Sequence, residues 1–153
     1  MYFVSVFLLL LVLPAASVVL EGIFSPRGVE VMGLVGKWYV FWACGIRLLL
    51  AGIRQVSQPR FTATEIFDLD NVKAFPIVRE IGFGNLAMGT LAVCTFFRPA
   101  WLVAAAIVGG LYYGLAGLGH LLRDKRNVKE AVAMVSDGLA FVVLLVVVVN
   151  SWR

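Results

Sequence analysis

The chain has 153 residues, of which 61% are hydrophobic and only 14% are charged. A soluble domain of this length has too little interior to hide so much apolar side chain, whereas lipid-covered helices have no need to hide it. The formal net charge of +4 does not point to nucleic acid, because the basic residues are divided among short segments between long apolar runs, the pattern that orients a chain in a membrane.

Five apolar runs follow one another, each close to the ~20 residues that span a ~30 Å hydrocarbon layer as a helix. The first predicts a helix over about residues 2–22. Ala15-Ala16-Ser17 within it resembles a signal-peptide cleavage site, but no basic segment precedes the run, so a retained anchor helix is expected. The stretch SPRG at 25–28 marks a turn. The second helix is expected over residues 34–54 and contains Arg47 in the middle of WACGIRLLLAG.

The longest link, residues 55–76, carries Phe61, Ile66, Phe67, Leu69, Val72 and Phe75, too many apolar residues for a free loop. A short helix is expected there, lying on the membrane face or tucked under the bundle. Thr62 and Glu65 have the spacing of a capping box. Asp68, Asp70 and Asn71 hint at a calcium loop, but its glycine and closing glutamate are missing. The third helix is expected over 77–97, with Pro76 in its first turn. Phe97-Arg98-Pro99 makes a tight hairpin to the fourth, over 100–122, and the fifth covers 130–151 and carries Asp137. The runs are continuous rather than alternating, so these are helices and not barrel strands. The expected fold is all-α: a membrane bundle of four helices with the first helix added as an anchor.

The segment 123–129, RDKRNVK, has four basic residues and belongs in the cytoplasm by the positive-inside rule. Five crossings then put the 55–76 link and the N-terminus on the same side and the C-terminus outside, in a bacterial inner membrane. Arg54, Arg60, Lys73, Arg79, Arg123, Lys125, Arg126 and Lys129 fall inside, against Arg27, Lys37, Arg98 and Arg153 outside. Trp38, Trp42, Trp101 and Trp152 all fall at the outer interface, as an aromatic belt would.

Four helices carry polar side chains in the cytoplasmic half: Arg47 and Asp137 each about two turns from that end, His120 within a turn of it, and Glu80 and Asn85 in the first turns of the third helix. At ~100° per residue, Arg47 shares a face with Ala43, Ala51 and Arg54, and Asp137 with Glu130, Ala133, Ala140 and Leu144. His120 lies beside the stripe Ala106, Gly110, Gly114, Gly117, while Gly82, Asn85 and Gly89 share a face from which Glu80 points away. Small residues mark helix–helix contact in membranes, so Arg47, His120 and Asp137 are expected to face the bundle. An unpaired charge at mid-membrane costs ~2.5–3.5 kcal/mol on insertion scales; an Arg47–Asp137 pair, with His120 joining by hydrogen bond, removes that cost. Such a pair could equally fix helix register alone, and Arg47 has the length to snorkel to the interface.

Cys44 and Cys94 are far apart in the chain and form no CxxC pair, so buried free thiols are expected rather than a thiol oxidoreductase. Tyr112 and Tyr113 read as packing. His120 has no second haem ligand, and no catalytic, phosphate-binding or metal-spaced motif is present. No cofactor, metal or nucleic acid is expected, and an enzyme is not the favoured reading.

The segments FWACGIRLLLAGIRQ (41–55), PIVREIGFGNLAMG (76–89) and GGLYYGLAGLGHLLRDKRNVKEAVAMVSD (109–137) resemble a family of small bacterial integral-membrane proteins classed as a domain of unknown function, itself loosely similar to DoxX-like four-helix proteins. The resemblance covers about residues 35–150 and implies the membrane class, with no activity to transfer. Three readings follow: a small accessory or structural membrane protein, alone or as a homo-oligomer in the bilayer; a transporter-like or small-ligand-binding protein using the Arg47, His120, Asp137 cluster with Asn85 and Glu80; and, through the resemblance, a DoxX-like redox subunit. A dry ion pair favours the first, and a cavity holding unpaired polar groups the second.

Overall fold

The structure, a computed structural model, describes residues 2–25, 30–124 and 127–152. The turn expected at 25–28 lies outside these apart from Ser25, as do Arg27, Lys125, Arg126 and Arg153 of the charge comparison. Five helices are long and apolar enough to cross a membrane: α1 (Tyr2–Phe24), α2 (Val31–Ser57), then, after a short helix α3 at residues 59–66, α4 (Val72–Cys94), α5 (Pro99–Leu121) and α6 (Val128–Asn150). No strand occurs among the described residues, in keeping with the all-α expectation.

Two helices widen locally into π turns. In α1 the wide stretch is Leu8–Val12, where the Leu13 N–H bonds to the Leu8 carbonyl. It ends two residues before Pro14, which has no N–H and whose ring crowds the carbonyl four residues back; opening the ladder there lets the helix continue. In α2 the wide stretch is Val40–Ile46, and the Arg47 N–H bonds to Trp42 rather than to Ala43. The Ala43 carbonyl instead accepts the hydroxyl of Tyr113 from α5. The insertion that widens this turn also shifts the helical phase just before Arg47.

Helices α2 and α4 form one close pair and α5 and α6 another. In the first pair glycine meets backbone. A side chain at Gly52 would come 2.8 Å from the Gly82 carbonyl oxygen, and one at Gly89 would come 2.8 Å from the Leu49 amide. In the second pair Gly110 and Gly114 pack on Leu144 and Phe141, and Gly117 sits beside Gly138 and Asp137. Such close approach brings backbones into dispersion contact, the kind of packing that holds helices together wherever lipid offers no hydrophobic drive between them.

The core where the pairs meet is Val40, Ala43, Cys44, Ala106, Tyr113, Ala140 and Leu144. Cys44 is buried against Gly109 and unbonded, and Cys94 is a half-buried free thiol. At one end of the bundle, Glu21 of α1 accepts both Lys37 Nζ (2.8 Å) and Trp38 Nε1 (2.6 Å), and Asn150 bonds Glu30. The first helix is thus more than an added anchor: Leu10 is 2% exposed and belongs to the core.

At the other end lie both links. Asn127 caps α6 by accepting the Glu130 N–H at 2.8 Å, while its amide reaches the Glu65 carbonyl at 3.2 Å. That contact seats α3, whose Thr62, Ala63 and Ile66 are buried. The capping box expected at Thr62 and Glu65 is not formed. Pro59 opens the helix, Thr62 lies inside it with helical backbone angles, and Glu65 pairs with Lys129 of α6. Helix α3 is oriented by its contact with α6 rather than by its own cap. The Lys129 hydrogen bond holds the Glu65 carboxyl below its ordinary range. A depressed carboxylate contributes its stability above the unfolded value and loses it as pH falls through the folded one. We predict that melting temperature falls on acidification through the carboxylate range less steeply in Glu65→Gln than in wild type; identical slopes would refute the contact.

Candidate functional site

At the link end, between the two helix pairs, lies a cavity of about 680 Å³. This lies within the roughly 300–1,000 Å³ usual for small-molecule sites. Helix α1 closes one side with Tyr2, Val6 and Leu9, and Phe61, Ile66 and Phe67 from α3 and the residue after it line the wall at the link end. From α2 come Arg47, Ala51, Arg54 and Gln55, spaced so that successive turns present one face to the cavity. Asn85 enters from α4, Tyr112, Tyr113 and His120 from α5, and Asp137 from α6.

Arg47 Nη2 donates to Asp137 Oδ1 at 2.9 Å and to Ser136 Oγ at 3.0 Å. Its guanidinium carbon stands 4.9 Å from the centroid of the Tyr113 ring, within cation–π range. The side chain is only 14% exposed, so Arg47 is held in the bundle instead of reaching for the surface. Its Nη1 is buried and has no hydrogen-bond partner among the described residues. Asn85, 1% exposed, donates to Gln55 Oε1 at 2.7 Å, while its own Oδ1 has no hydrogen-bond partner among the described residues. A buried polar atom left unpaired costs about 1–3 kcal/mol, and here one donor and one acceptor are both open in residues lining the same cavity.

His120 is placed differently from expectation. Its Nδ1 lies 3.0 Å from Glu130 Oε1, not on Asp137, and its ring stacks parallel to Phe67 at 6.2 Å. The reason is depth: His120 lies in the last turn of α5 and Glu130 in the first turn of α6, so the two are level, while Asp137 lies two turns further in. Arg123 completes this group, donating to Glu130 at 2.8 Å and to the Phe67 carbonyl at 3.1 Å. Glu80 does not belong to the site. It is exposed and absent from the cavity wall, because the α4 face that enters the bundle is the one carrying Gly82, Asn85 and Gly89.

Arg54, Arg123, Gln55 and Glu130 are the site residues that sequence reasoning passed over as such. Arg54 had a signal, its shared face with Arg47. Glu130 had the same kind of signal, its shared face with Asp137, although an acid in the first turn of a helix ordinarily serves the helix dipole. Among the described residues no group of three or more His, Cys, Asp or Glu is placed to hold a metal ion.

The DUF6790 family, described as a family of unknown function, matches residues 1–152. The chain belongs to that family. The match takes in the first helix, which the narrower resemblance over 35–150 had set aside, and α1 forms part of the cavity wall. No curated protein and no solved structure matches the chain.

Proposed function

We propose that this DUF6790 member is an integral membrane protein that holds a small molecule in the cavity at its link end. The observation that carries the reading is the coincidence of that cavity with the buried polar cluster: Arg47, Asp137, Asn85 and His120 all line it. An accessory or structural role accounts for the Arg47–Asp137 pair but not for the space beside it, nor for the open Nη1 of Arg47. A DoxX-like redox role finds no support in Cys44, which is packed against Gly109 away from any thiol partner. The basic residues of the two links favour the cytoplasmic side of a bacterial membrane for the cavity, with Trp38, Trp101 and Trp152 at the opposite interface.

Native mass spectrometry of the protein released from mild detergent tests this. Wild type is expected to carry a bound small molecule, and Ala51→Phe, which fills the cavity from its wall, is expected to lose it while melting within a few degrees of wild type. A wild-type spectrum free of adducts across several detergents, or an adduct unaffected by Ala51→Phe, would remove the reading.

A further inference from the structure

We infer that the cavity takes a single-chain amphiphile with one negative charge on its head, a carboxylate or a phosphodiester. This rests on the cavity being a ligand site and adds the chemistry of what enters. Three guanidinium groups line the wall, from Arg47, Arg54 and Arg123, and one carboxylate, Asp137. Glu130 stands behind the wall and answers Arg123, as Asp137 answers Arg47. Counting both acids, one cation is left over, and it is Arg54. Among the described residues Arg54 has no carboxylate partner; its guanidinium lies 3.5 Å over the Phe61 ring.

Arg54 is seven residues, about 10 Å, along α2 from Arg47 and is exposed, so it stands toward the mouth near the link end. An aromatic face under a guanidinium fixes its plane and leaves its edge free for bidentate donation to an anion. Deeper in, Arg47 Nη1 offers one more donor. Beside the polar Ser5, Gln55, Thr62, Asn85 and His120, the wall carries an apolar set that includes Leu9, Leu48, Leu50, Ile66 and Ile81, which suits an aliphatic chain. Leu50 lines the cavity and is 53% exposed, so the apolar wall continues to the outer surface of the bundle.

The test uses the whole protein in phosphatidylcholine nanodiscs, offered palmitate, palmitoyl-lysophosphatidylglycerol and hexadecanol at equal concentration, with retention read by native mass spectrometry. At least one anion should be retained about tenfold over hexadecanol, equivalent to one decade of affinity. Arg54→Gln, an exposed and conservative change, should remove that preference without altering hexadecanol retention. Palmitate alone retained identifies a carboxylate head, and the lysophospholipid alone a phosphodiester head. Equal retention of hexadecanol, or an anion preference that survives Arg54→Gln, overturns the inference and leaves the cavity as a ligand site. Retention of none of the three, together with no adduct on the protein as purified, overturns both.

Discussion

Asp137→Ala is expected to destabilise the bundle by about 3–5 kcal/mol, because it leaves Arg47 buried without its counter-charge. The same magnitude is expected for Arg47→Ala, which strands Asp137. The two losses should not add. Once either partner is gone the other contributes only its own desolvation, so a double-mutant cycle should return a coupling of about 1–3 kcal/mol. Denaturant titration of the reconstituted protein, followed by circular dichroism, measures all three variants. Additive losses would mean that the 2.9 Å contact carries no energy. The apolar replacement Arg47→Met with Asp137→Leu should recover most of the stability, since a buried ion pair exchanged for well-packed side chains of similar size is often neutral or better. That recovery separates what the pair does for the fold from what it does for a ligand.

Gly52→Val should be nearly as damaging by a different route. Its Cβ would stand 2.8 Å from the Gly82 carbonyl oxygen and 2.9 Å from the Leu86 amide nitrogen. Both are backbone atoms of α4 and cannot rotate aside, so α2 and α4 must separate along this seam. Overpacking of this kind costs about 1–3 kcal/mol, and here it also shifts Asn85 relative to Arg47. Gly84→Ala, on the partner helix α4, is the control. Nothing lies within 4 Å of its added Cβ, and the gain in helix propensity, up to about 1 kcal/mol in water, should leave melting unchanged or raised. If Gly52→Val and Gly84→Ala melt alike, the α2–α4 contact is not the one described.

Much of this arrangement is legible in the sequence because it depends on length and period alone. Five continuous apolar runs can only be helices in lipid. Arg47 and Asp137 lie at equal depth on small-residue faces of antiparallel helices, which is enough to bring them into contact. The partner of His120 is not legible on the same logic. A wheel resolves direction but not the two turns of depth, about 10 Å, that separate Glu130 from Asp137. The wide turn at Val40–Ile46 leaves no mark in the residue types, yet it sets the phase of Arg47 and frees the Ala43 carbonyl for Tyr113. Tyr113 therefore reads as packing from sequence and proves to be a brace for the site. The cavity itself is lined from all six helices, and no single run of residues encodes that. The first helix reads as an anchor because its sequence is apolar throughout. Its part in the wall emerges only from the inward turn of Tyr2, Val6 and Leu9.

The central claim is that the buried polar cluster serves a ligand and not helix packing alone. The most direct test is ligand retention in the Arg47→Met/Asp137→Leu double variant, measured by native mass spectrometry beside its melting temperature. The account predicts a protein that melts within a few degrees of wild type and no longer carries its small molecule. A double variant that is equally stable and retains the same adduct at wild-type occupancy would contradict it.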